Sequence, residues 1–175
     1  MKIDKPNSTA GRVKNTKSGG AQNGKPDEVK SDKVSLTYYP QGPDLLPRST
    51  VEFEGPLRAG PADDRLRVSV PRHFPTAQAD DNGNFHYTGD DPNFDSVNTY
   101  AVARQTLEMA EKYTSRKIPW SFTETLDRDE MIIHPHAGNN TANAFYSRDG
   151  GSINFFSYTD EGRNVHRTGI HSDVV

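Results

Sequence analysis

Residues 91–119 read DPNFDSVNTYAVARQTLEMAEKYTSRKIP, and their apolar spacing decides the fold class. Phe94, Val97, Tyr100, Ala101, Leu107, Ala110 and Tyr113 recur every three or four residues, which lines one side of a helix. The stripe predicts a core-facing surface rather than a ligand groove. Asp91 can cap this helix with Pro92 in its first turn, and Asn93 and Asp95 are rival caps. Pro119 bounds it at the far end.

On either side the period falls to two. Upstream, KVSLTYY (33–39), STVEFEG (49–55) and RLRVSVPRHF (65–74) predict strands, the third interrupted by Pro71. DDNGNFHY (80–87) places Asn82-Gly83 ahead of Phe85 and Tyr87, a hairpin-turn signal. Downstream, DEMIIHPH (129–136), NAFYS (143–147) and SINFFSY (152–158) predict strands, and residues 159–172 a loop. One long helix between β segments predicts an α+β domain. It has a β-rich first half and a second, mixed or antiparallel sheet with an edge strand.

Residues 1–33 have another character. They hold no aromatic residue, eight basic and four acidic ones, so they carry +4 and leave −7 on residues 34–175. So polar a segment buries too little apolar surface to offset its ordering entropy, and it is expected to be disordered. Its lysines are dispersed, with no aromatic side chains between them to stack on bases, so the nucleic-acid signal is weak and a solubilising leader is the simpler reading. Residues 34–175 are expected to form a single domain, incomplete at its C-terminus. No stretch is apolar enough for a signal peptide or a membrane span, which makes the cytoplasm the default compartment. The absence of cysteine excludes disulfides and thiolate metal sites.

Residue by residue, no complete catalytic constellation emerges. His134 and His136, two apart on a strand, would share one face and could share a metal, but no third ligand lies at short spacing. His73 and His86 are isolated, and His166 and His171 fall in a polar loop. Asp90, Asp91 and Asp95 suit the positive end of the helix better than a calcium ion. DDNGN has no glycine at a calcium loop's sixth position and no closing Glu.

The order of the last third carries a resemblance. The helix with NTYAVARQTLEMAEKY is followed by a strand, then by NNTANAFYSRDGGSINFFSY, and finally by GIHSDVV. This resembles the N-terminal domain of thermolysin-like zinc metallopeptidases, over about residues 90–175. In that family a long helix packs beneath a sheet, an edge strand carries N-A-F-W or N-A-F-Y, and D-V-V-A-H-E-x-x-H supplies two zinc histidines and the catalytic glutamate. The matching residues are Asn143-Ala144-Phe145-Tyr146 and Asp173-Val174-Val175.

The resemblance implies a peptide or protein substrate. Asn143 would bind the substrate backbone through its side chain and Ala144 through its carbonyl. Asp173 corresponds to a calcium-binding residue of some members, although it equally suits a helix cap. These 175 residues contain no H-E-x-x-H, so the resemblance implies zinc only in a complete enzyme, and this chain alone is expected to be inactive. The rival reading is a non-catalytic module that binds an extended peptide along an edge strand around Ile132–Tyr146.

Overall fold

The computed structural model describes residues 33–41, 46–160 and 165–168, with residues 158–160 and 165–168 described as backbone only. The fold is α+β. Strands β1 (Lys33–Tyr38) and β2 (Ser49–Glu54) form an antiparallel pair, with Lys33 opposite Glu54 and Tyr38 opposite Ser49. A second sheet holds β3 (Leu66–Val68), β4 (Met131–Gly138), β5 (Ala144–Ser147) and β6 (Ser152–Asp160) in the order β3-β4-β6-β5. β7 (Val165–Thr168) adds antiparallel to the far end of β6. β3, β4 and β6 run parallel, and β5 antiparallel to β6. β1 begins at Lys33, one residue inside the segment expected to be disordered. The rest of that segment, like Asp173 and His171, lies outside the described residues.

Helix α1 (Phe94–Thr114) crosses from β3 back to β4, and a single-turn helix α2 (Thr123–Leu126) follows it. The first half of α1 is buried nearly all round, from Ser96 to Ala103, because it packs against both sheets. Toward β1–β2, Phe53 meets Tyr100 edge-on at 6.2 Å, Tyr39 meets Phe94 at 5.4 Å, and the Asn98 side chain accepts the Tyr39 N–H at 2.6 Å. Toward the second sheet the same core takes in Leu66, Val68, Ile133, Ile153 and Phe155. The predicted stripe fails only at its end. Ala110 is half-buried and Tyr113 is 83% exposed, because the last turns of α1 run beyond the sheets.

The helix ends differ from the sequence expectation. Asn93 is the N-cap but makes no side-chain cap. The Asp91 carboxylate instead accepts the Asn93 backbone N–H at 2.8 Å, an Asx turn leading into the helix. At the other end Ser115 adopts a left-handed conformation (φ 52°). The bonds Arg116 N–H to Glu111 O and Ser115 N–H to Lys112 O form a Schellman motif that stops the helix four residues before Pro119.

Three strand expectations are corrected. β3 is only three residues long, because the chain folds back on it: Ala62 bridges Arg67, and Val68 N–H bonds Pro61 O. Asn82-Gly83 does make a turn, with Asp80 Oδ1 accepting the N–H groups of Asn82 and Asn84, but no hairpin follows. Instead the Asn84 side chain accepts Ser35 N–H, and Phe85 bridges Leu36 in parallel, extending the β1 side of the first sheet. Residues 165–168, expected to be loop, are strand β7, since β6 runs on to Asp160 and offers them a partner.

Gly151 opens the β6 strand at a tight spot. Its φ is +51°, and an added Cβ would lie 2.8 Å from the ring of buried Phe122 and 2.6 Å from the Arg128 guanidinium. Gly151→Ala is therefore expected to cost about 1–3 kcal/mol through overpacking and backbone strain. A shift of the urea midpoint measures it; an unchanged midpoint would show that Phe122 and Arg128 give way freely.

Candidate functional site

The candidate site is the β5 edge of the second sheet, which no other described strand flanks. Asn143 O accepts the Phe156 N–H at 2.9 Å, and Phe145 pairs with Asn154 in the β5–β6 register. In an antiparallel ladder, residues alternate between those bonded to the neighbour and those facing away from it. Asn143, Phe145 and Ser147 therefore direct their backbone groups toward β6. Ala144 and Tyr146 direct theirs outward, where no described strand pairs with them. Each presents one donor and one acceptor to an incoming chain.

The side chains of this edge are unusually apolar for a surface. Phe145 is 44% exposed and Tyr146 is 50% exposed, two of the few large apolar residues so placed. Phe145 lies on the face away from α1 and meets Phe156 edge-on at 5.9 Å. Ala144 and Tyr146 lie on the other face, over the core residues Phe155 and Ile153 with which they pair. The edge carries no charge from Asn143 to Ser147. Asn143 is exposed beside it.

The strand is bounded at both ends. Upstream, Asn140 turns the chain with a positive φ of 58°, and Thr141 N–H bonds Ser157 O. Downstream, Gly150 N–H bonds the Ser147 hydroxyl, and Gly151 N–H bonds Arg148 O, closing the turn into β6.

The structure separates the other sequence candidates from this edge. Of the stretch Ile132–Tyr146, only β5 is at an edge. β4 lies between β3 and β6, because the crossover through α1 delivers it to the middle of the sheet. His134 and His136 line a cleft of about 440 Å³ with Ser69, Val70, Pro71, Ala137 and Asn154. The His134 Nδ1 lies 3.1 Å from the Ser69 carbonyl oxygen, which can only accept, so Nδ1 carries the hydrogen. A register shift follows in β4, and His136 turns inward. It is buried, stacked on Phe74 at 3.9 Å, with Nε2 3.7 Å from Asp95 Oδ2.

The His136 ring nitrogens are enclosed, and among the described residues no three His, Cys, Asp or Glu side chains converge. The acidic groups Asp91, Asp95 and Asp80 are engaged as described, with Asp91 and Asp80 accepting backbone N–H groups. His86 Nε2 lies 3.0 Å from the Ser35 hydroxyl on β1, and His73 packs on Phe74.

Comparison with protein-family models, with curated proteins and with solved structures finds no match for this chain. Among the described residues, no helix is long and apolar enough to cross a membrane. Sequence reasoning placed Asn143 and Ala144 at this edge but passed over Tyr146. The period of two that turns the Ala144 carbonyl outward turns that of Tyr146 outward as well.

Proposed function

We propose that the β5 edge takes up an extended peptide as an added strand, and that it does so as the substrate-binding edge of a thermolysin-like zinc metallopeptidase. The observation that carries the first half is the pair of outward backbone sites at Ala144 and Tyr146 on a short, uncharged edge. The second half rests on the resemblance of residues 90–175 and on the order helix, strand, N-A-F-Y strand, further strand. In this reading Ala144 bonds the substrate backbone directly, and the exposed Asn143 side chain adds a bond at one end. The hydrolytic zinc and its general base belong to an H-E-x-x-H segment that these 175 residues do not contain. The second reading, a peptide-binding module without catalysis, uses the same edge and differs only in that requirement.

Titrating the labelled chain with a capped tetrapeptide of alternating Thr and Val should move the amide resonances of Ala144 and Tyr146 most. Ala144→Pro removes one outward N–H and should weaken binding about tenfold, the scale of one lost hydrogen bond to a bound chain. Asn143→Ala should weaken it less. Peptide-induced shifts confined to other parts of the molecule would sink the edge reading. An in-frame H-E-x-x-H in the gene beyond codon 175 would separate the peptidase from the binding module.

A further inference from the structure

We propose that β5 is also a self-recognition edge, where two copies of this chain pair antiparallel about a twofold axis at Phe145. The inference does not depend on the peptide reading, although both use the same backbone groups. Only residues whose N–H and C=O point outward can bond across a new edge, and here these are Ala144 and Tyr146. In the register centred on Phe145, Ala144 of one copy faces Tyr146 of the other, and the reverse holds by symmetry. Each facing pair exchanges two hydrogen bonds, so all four outward N–H groups and all four matching carbonyls of the two copies are used. Registers displaced by two residues leave half of them unpaired within the strand. The edge is thus complementary to itself, which a twofold interface requires.

The side chains agree with the backbone. At the axis Phe145 meets Phe145 of the second copy across a non-hydrogen-bonded pair, where Cα atoms come to about 4.5 Å. Both rings lie on the face away from α1, each already set edge-on against its own Phe156 at 5.9 Å, so four aromatic rings gather in one cluster. On the other face the half-exposed Tyr146 of each copy lies across from a small Ala144. No charge between Asn143 and Ser147 repels its counterpart, and none of the usual edge guards, Lys, Pro or a bulge, interrupts the strand. Four residues a side bury roughly a few hundred Å², below the about 1,200 Å² of stable complexes, so the pairing is weak and concentration-dependent. A peptide that adds to β5 and a second copy then exclude one another.

The absence of native cysteine makes the test direct. Phe145→Cys places two thiols at the axis, within the Cα range a disulfide spans. Ser147→Cys places them about 14 Å apart, four residues along the strand at about 3.4 Å each. Mild oxidation should give a disulfide-linked dimer of Phe145→Cys at least about tenfold faster than of Ser147→Cys. The unmodified chain should show a sedimentation coefficient that rises with concentration, and Phe145→Lys should abolish the rise. Equal crosslinking rates at the two positions, or a constant sedimentation coefficient up to millimolar chain, would overturn the proposal. Should the capped tetrapeptide fail to slow crosslinking while the dimer forms, self-pairing stands and the peptide reading falls.

Discussion

Replacing Asp63 by alanine is expected to lower the unfolding free energy by about 3–5 kcal/mol, the cost of removing one partner from an enclosed ion pair. The Asp63 side chain is 14% exposed and that of Arg104 is 17% exposed. One carboxylate oxygen accepts Arg104 Nε at 2.7 Å, and the other accepts the backbone N–H groups of Arg65 and Leu66, each at 2.7 Å. The Tyr100 hydroxyl lies in the same cluster. Burial, then the Asp63 charge, push its pKa upward, so it stays neutral. The single side chain therefore ties the entry to β3, the middle of α1 and the region beneath Phe53, where the Arg104 guanidinium stacks at 6.0 Å. Alanine strands two N–H donors and leaves Glu108, at 3.2 Å on its own helix, as the one acidic partner of Arg104 among the described residues. Asp63→Asn keeps an acceptor for the two N–H groups and should lose clearly less. Denaturant midpoints for the two variants measure this. A loss under about 1 kcal/mol for alanine would show that water or Glu108 replaces the carboxylate.

The second large effect contrasts two phenylalanines on adjacent strands. Phe155→Ala should cost about 3–5 kcal/mol, because the ring is 1% exposed in the core beneath α1. Phe145→Ala should cost under about 1 kcal/mol, because nearly half of that ring is already in water. The variants should divide in the opposite way in function: Phe145→Ala keeps the fold and weakens association at the edge. Similar stability losses for both would mean that the face away from α1 is covered far more than its exposure indicates. Thermal melts and peptide titrations of the same two proteins decide the matter.

The long helix and most strands were legible because their apolar residues follow one period each. Phe94, Val97, Tyr100, Ala101 and Leu107 read as a stripe and are buried. What the stripe does not reveal is that Ser96, Asn98 and Thr99 are buried too. Helical spacing predicts one covered face, while α1 sits against two sheets: Thr99 bonds the Asp95 carbonyl one turn back at 2.7 Å, and Asn98 reaches outward to accept the Tyr39 N–H at 2.6 Å. β7 escaped notice because its residues lack an apolar pattern, and its pairing comes from the length of β6.

The staples were equally hidden. Arg65, deep in the fold, joins Glu111 at 2.5 Å and the Ile118 carbonyl at 2.5 Å, under the Trp120 ring at 4.9 Å. Burial raises the Glu111 pKa, but the Ile118 N–H and Arg65 outweigh it and hold that pKa below the usual carboxylate range. Nothing at spacings of 46 and 53 residues announces such a cluster in a sequence. For the edge, N-A-F-Y gave the position, but only the β5–β6 register shows which of its amides face outward.

β6 pairs with β4, β5 and β7, and its apolar side lies in the core under α1. In mechanical terms it is the beam on which the edge hangs. A chain drawn away from β5 at right angles would open the ladder bond by bond, as a zipper. A chain pulled along the strand would load those bonds together, passing the force through β6 to the packed helix. The same few hydrogen bonds would release a bound chain easily in one direction and resist in the other.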